Sequence, residues 1–234
     1  MKKTLFSLIV GISFLFGQYS TSTITKNSIA TKDGNDSFAV VLKLGTLGLG
    51  MDFEYIHNSF LGLRANINGF SYQGSGFLEE NEYNFLIDLK TAGLLVDYHP
   101  WQNAFRLSLG MYNNLTKVDA TIKPSTGEMV IGDHVYESRQ IGDIYTNILL
   151  NKTNPYLGLG FSSTDTKGVH MTLDVGVLYI GSPKAKMTAK AAKGYEGLQD
   201  ILDKEVEIEE KNINEDIAKY KYYPVVSVGM QYKF

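Results

Sequence analysis

Apolar and polar residues alternate one by one along most of this chain, in runs separated by short stretches that read as turns. In LGLGMDFEY, Leu47, Leu49, Met51, Phe53 and Tyr55 fall on one side and Gly48, Gly50, Asp52 and Glu54 on the other. A period of two is the mark of a β-strand with unlike faces. Seven more runs repeat it: VVLKLG, LGLRANINGFSY, TAGLLVDYHP, FRLSLGMYNNL, NPYLGLGFSS, VHMTLDVGVLYIG and the terminal YYPVVSVGMQYKF. The pattern predicts an even set of eight strands. Upstream of TAGLLVDYHP the phase slips near Lys90, where FLIDL alternates on the other parity. The slip reads as a bulge, or as a strand rising above a bilayer.

Connection lengths divide the strand ends into two classes. The links HNS, HPWQN and STDTKG are short. At the opposite ends lie one tight turn and three longer links, around residues 73–83, 123–142 and 190–219. Short turns on one side and long loops on the other are expected of an outer-membrane barrel, whereas a soluble barrel carries no such bias.

The polar file holds Lys43, Asp52, Glu54, Arg64, Asp97, Arg106, Asp174 and Lys233, four charges of each sign interleaved with glycines. Packed into a dry soluble core, each would face a desolvation cost of roughly several kcal/mol. Paired inside a polar bore, they recover most of it. The apolar file must then face outward, to lipid. The expectation is all-β: a transmembrane, antiparallel, up-and-down barrel of eight strands.

The amino terminus agrees with export. Lys2 and Lys3 precede an apolar run from Leu5 to Phe16 and then small polar residues, the layout of a secretory signal and too short for a permanent helical span. Residues 1–22 read as the signal peptide, 23–37 as a flexible lead and 38–234 as the barrel. Removing the two lysines changes the charge from 22 minus 25, or -3, to 20 minus 25, or -5. Cysteine is absent, which excludes disulfides and thiolate metal sites. Aromatics gather where strand ends would meet headgroups: Tyr55, Phe60, Tyr98, Trp101, Phe105, Phe161, Tyr232 and Phe234 on one rim, Phe70, Tyr72, Tyr179, Tyr220 and Tyr222 on the other.

The signal, the strand pattern and the terminal VGMQYKF resemble the bacterial outer-membrane β-barrel proteins, and the strand count resembles the small OmpA- and OmpX-type barrels. That resemblance implies recognition by the barrel assembly machinery, with Val228, Met230, Tyr232 and Phe234 as the assembly signal. GTLGLGMDFEY, GLRANINGFSY, TAGLLVDYHP and YYPVVSVGMQYKF also look like a broad proteobacterial outer-membrane group, a resemblance that implies no particular activity.

Residues 194–219 depart from a minimal barrel. Leu198, Ile201, Leu202, Ile213 and Ile217 fall near helical spacing, blurred by Val206 and Ile208. The insertion is acidic and lies between strands seven and eight of the expected eight. It reads as a solvated helical cap on the external side; other readings are a bridge through divalent cations to lipopolysaccharide, using Glu205, Glu207, Glu209 and Glu210, or a site for a basic partner.

No nucleophile elbow, zinc-protease helix, phosphate loop or dinucleotide fingerprint occurs. Of the four histidines, only His170 points into the bore, and Thr172 and Asp174 follow it in steps of about 7 Å, a spacing unsuited to a catalytic pair. The sequence therefore points to a non-enzymatic protein of the bacterial outer membrane, without cofactor or nucleic acid. Its expected partners are outer-membrane lipid, lipopolysaccharide and the assembly machinery, and closure lets it stand as a monomer. The leading role is structural or surface-interacting, with a bore plugged by paired charges. The alternative is a small channel for a small or hydrophobic solute, and a lipid-modifying enzyme is a third.

Overall fold

The fold is taken from a computed structural model, which describes residues 36–78, 81–125, 127–162 and 167–234. The expected signal peptide, and all but the last two residues of the expected lead, lie outside these. Thirteen strands occur among the described residues: β1 Ser37–Gly45, β2 Gly48–Ile56, β3 Leu61–Leu78, β4 Asn81–Tyr98, β5 Phe105–Asn114, β6 Lys117–Lys123, β7 Glu128–Ile131, β8 His134–Glu137, β9 Ile141–Leu149, β10 Thr153–Phe161, β11 Gly168–Tyr179, β12 Lys184–Ala191 and β13 Tyr222–Lys233. One α-helix, α1, spans Gln199–Ile217.

Eleven strands form one antiparallel sheet, and its pairings close a ring in the order β1, β2, β3, β4, β5, β10, β11, β13 and back to β1. These eight contain the eight alternating runs. Closure leaves the ring no free edge. The alternation becomes two walls. Leu94, Leu49 and Met171 are 71, 67 and 65% exposed on the outside, while their neighbours Leu95, Gly50 and Thr172 are buried within. Leu47 is an exception to the expected outward file. It sits in the turn before β2 and is buried in the bore, because the turn breaks the parity carried by the strand.

Aromatic side chains on each rim meet in pairs and short chains. Trp101 lies 5.0 Å from Phe105, Phe105 5.4 Å from Phe161, and Tyr232 5.0 Å from Phe234, ring centroid to centroid. At the opposite end Phe70, Tyr72 and Phe85 form a second chain, and Tyr179 packs on Tyr222 at 5.5 Å.

The sheet has more strands than the alternation predicts. The upper half of β4, Glu82 to Asp88, leaves β5 and pairs with β6, which pairs with β9, which pairs with β12. The barrel wall thus continues upward on one side only. β3 and β4 pair through eighteen residues without a register shift, so the slip at Lys90 is no bulge; it marks the level where β4 changes its neighbour. Most residues of the long link expected at 73–83 instead lie in strands, in the far end of that hairpin.

On the bore side of this extension, Ile122, Ile144, Met187 and Ala189 pack against Met129, Ile131 and Tyr136 of the β7–β8 hairpin and against Leu202 and Val206 of α1. Val206, which blurs the expected stripe, is core, and Ile201, which belongs to it, is exposed. The helix also closes the open edge of β12. Asn214 accepts from the Ala185 N–H at 2.7 Å and donates to its carbonyl; Glu210 accepts from Met187 N–H; Gln199 accepts from Ala191 N–H and donates to the Ala189 carbonyl. Side chains at one seam of α1 stand in for a missing strand, one of the ways a sheet edge is kept from pairing with another chain.

Candidate functional site

The bore is built by the inward file of each ring strand. Arg64 of β3 lies at its centre, with its side chain 1% exposed. Its guanidinium contacts Asp52 of β2 at 3.3 Å, Asp97 of β4 at 3.0 Å and Asp174 of β11 at 3.2 Å, and donates to Ser108 of β5 at 2.9 Å. Four steps around a ring of eight separate β3 from β11. The Arg64–Asp174 contact therefore crosses the barrel along a diameter.

Arg106 of β5 supplies a second cation. It meets Asp174 at 2.8 Å and Glu54 at 3.3 Å, and donates to Ser162. Lys43 of β1 lies 2.6 Å from Asp52, and Gln231 of β13 donates to Glu54. Seven of the eight charges expected in the bore thus form one connected network. Lys233, the eighth, is also buried, near the lower end of β13. Charge-assisted bonds of this kind are the strong class of protein hydrogen bond, and two forked guanidinium groups suit several carboxylates at once.

Glycines make room for the long side chains. A Cβ on Gly160 would lie 2.7 Å from both Arg106 Nε and Asp174 Oδ1, and one on Gly93 would lie 2.9 Å from Asn66 Oδ1 and 3.0 Å from the Tyr112 ring.

A second layer, of hydrogen-bonding and aromatic groups, lies above the ionic one. Asn66 donates to the Tyr112 hydroxyl at 2.6 Å, Asn68 donates to Thr91 at 3.0 Å, and the Tyr112 and Tyr156 rings meet edge to face at 5.4 Å. These rings join Leu47, Leu95, Leu178 and Val225 in an apolar cluster inside the upper bore. Sequence reasoning places Tyr112 and Leu95 in the inward file without assigning them a role. Tyr156 and Val225 could have been found by extending the parity of β10 and β13 by one residue.

Outside the bore, Val228, Met230, Tyr232 and Phe234 are all exposed on the outer wall. His170 of β11 pairs in register with Gln231. The four glutamates of α1 do not converge. Glu205 meets His134 at 2.8 Å and accepts from the Asp133 N–H, while Glu210 is used on the β12 edge. Among the described residues, no group of three histidine or carboxylate side chains could hold a metal ion.

No family model and no curated protein matches the chain. Among solved structures it is similar to Acinetobacter baumannii CarO2, at 24% identity and a TM-score of 0.56, over 85% of this chain and 98% of that one. Acinetobacter baumannii CarO gives 23% identity and a TM-score of 0.55, over 87% of this chain and 100% of that one. A major outer membrane protein from Thermus thermophilus aligns at 13% identity and a TM-score of 0.45, over 85% of this chain and 99% of that one. At these identities the likeness to the CarO structures is one of fold: the chain shares the all-β architecture of these outer-membrane barrel proteins.

Proposed function

We propose that this chain is a transmembrane β-barrel of the bacterial outer membrane, of the small eight-stranded type, with a closed bore and a structural or surface-interaction role carried by its external half. Residues 1–22 are its export signal, 23–37 its lead and 38–234 the barrel, within which the insertion at 194–219 faces outward from the cell. The lipid assignment is supported by the wall of exposed Leu, Val, Met and Phe around a closed ring, an arrangement that water would penalise by about 25 cal/mol per Å² of apolar surface and that a bilayer requires.

One contact carries the closed bore. Arg64 reaches Asp174 at 3.2 Å across a full diameter of the ring, and Arg106 completes the same layer. A channel needs a path between these cations and carboxylates, and they touch. A lipid-modifying enzyme needs an available base, and Asp174 is held by two guanidinium groups. The barrel functions without a cofactor, as a monomer, its last strand presenting Val228, Met230, Tyr232 and Phe234 to the assembly machinery.

Protein refolded from the mature chain and added to planar bilayers tests the reading. Insertion without steady single-channel current is expected. Reproducible unitary currents from the unaltered chain would overturn the closed bore.

A further inference from the structure

The half-wall above the barrel has an outer face as well as the inner one that packs α1. Along β4 the register with β3 is unbroken, so Lys90, Asp88 and Leu86 lie on the same face as Ala92, Leu94 and Val96 of the outer wall. Across the sheet that face continues through Lys117, which lies opposite Asp88, through Asn147 and Leu149 of β9, and onto β12, where Lys186 lies opposite Asn147 and Lys184 opposite Leu149. On β12 it presents Lys184, Lys186 and Lys190, all exposed, with successive members of the strand's outer file about 7 Å apart.

Two of the four acids of this face are paired with lysines, and the other two, Asp119 and Asp143, accept hydrogen bonds from neutral groups and keep their charge. Lys90 holds Asp88 at 2.8 Å, Lys123 lies 3.6 Å from Glu82, Asn147 donates to Asp119, and Tyr145 donates to Asp143 at 3.2 Å. Among the described residues, no ion pair includes Lys117, Lys184, Lys186 or Lys190. Six lysines, Lys90, Lys117, Lys123, Lys184, Lys186 and Lys190, against four carboxylates, Glu82, Asp88, Asp119 and Asp143, leave the face at 6 minus 4, or +2, with Tyr145 and Leu149 exposed between its strands. The nearest row lies four residues above Ala92, about 14 Å along a strand and less in height because barrel strands tilt.

We infer that this lysine face is a docking surface for the phosphate groups of the lipids surrounding the barrel. The inference rests on the membrane reading above and adds a site to it. Continuity with the lipid wall puts the lysines over the headgroup layer, and their charge complements phosphate, which each lysine attracts by roughly a fivefold gain in binding near an anionic surface. Most other acidic residues of the same half-domain sit on α1, which packs against the inner face and along the β12 edge, where Asp203, Glu207 and Glu210 border a pocket with Lys190. That segregation leaves the outer face cationic although the whole chain is acidic.

The test uses the full mature chain in phosphatidylcholine nanodiscs, doped either with bisphosphorylated lipid A or with its phosphate-free analogue, and counts retained lipid by native mass spectrometry. The unaltered protein should retain the phosphorylated form at least about tenfold more, less than the full gain of three lysines. K184Q/K186Q/K190Q should lose most of that preference, up to about a hundredfold from three lysines. K167Q/K204Q/K211Q removes the same charge elsewhere and should keep it. Equal loss in both variants, or none in the first, overturns the inference. Vesicle flotation of the unaltered chain reads the membrane assignment separately: a chain that does not float defeats that reading, whereas a floating chain without phosphate preference defeats only this one.

Discussion

Replacing Arg64 with methionine keeps much of the side-chain volume and removes the central cation of the bore. The seven connected groups carry three cations, Lys43, Arg64 and Arg106, against four carboxylates, Asp52, Glu54, Asp97 and Asp174. Their formal balance moves from -1 to -2, and three carboxylates lose a contact at 3.0 to 3.3 Å. Breaking a buried ion pair from one side costs about 3–5 kcal/mol. Because these groups are almost wholly enclosed, solvent offers little screening. With a guanidinium slope of about 4 kcal/mol per M, the unfolding midpoint in lipid vesicles should fall by about 1 M. Adding Asp174→Asn restores the formal balance to -1, so the double variant should recover about 1–3 kcal/mol relative to the sum of the singles. A loss under about 1 kcal/mol for R64M, or a cycle additive within about 0.5 kcal/mol, would refute the connected network.

Three further outcomes follow from other parts of the molecule. Leu94→Arg puts a charge at the most exposed apolar site of the outer wall; it should cost about 2–4 kcal/mol near the bilayer midplane and lower the folded fraction seen by heat-modified gel mobility, whereas unchanged folding would count against lipid contact there. Gly176→Val brings a Cβ to 2.5 Å from the Tyr156 hydroxyl and should destabilise by about 1–3 kcal/mol in the same unfolding assay, while Gly197→Ala, with open space around it, should stay within about 0.5 kcal/mol. Asn214→Ala removes two bonds to Ala185; hydrogen exchange at Ala185 should rise by about tenfold, from about 1 kcal/mol per bond, with the β1 amides unaffected.

Much of this architecture is legible because membrane strands obey a strict parity. Lys43, Asp52, Arg64 and Asp174 can be assigned to one interior from alternation alone, since each is flanked by outward apolar neighbours and the chemistry of burial forbids mixing the files. What alternation cannot give is partnership. That Arg64 reaches Asp174 across the ring, as well as Asp52 and Asp97 on its two neighbouring strands, depends on ring closure and stagger, which bring together residues more than a hundred positions apart.

The half-wall escapes alternation for a related reason. In KVDATIK and KAKMTAKA the inward positions are Val118, Ala120 and Ile122, and Ala185, Met187 and Ala189, half of them alanines, and the outward ones are lysines, threonines and Asp119. The contrast between files is weaker because one face meets water or headgroups and the other meets a thin core. The α1 seam of Gln199, Glu210 and Asn214 is also invisible as a hydrophobic stripe, for its partners are backbone groups of β12 and its function is polar.

The direction of the apolar file is tested most directly by spin labels on single cysteines, a convenient choice in a chain with none of its own. Labels at Phe53, Leu94, Leu109, Leu159, Val175 and Val228, one on each of six ring strands, should all collide freely with oxygen dissolved in the bilayer and weakly with a water-soluble nickel chelate. High nickel access at these sites, or shielding from both probes as in a packed soluble core, would contradict the account.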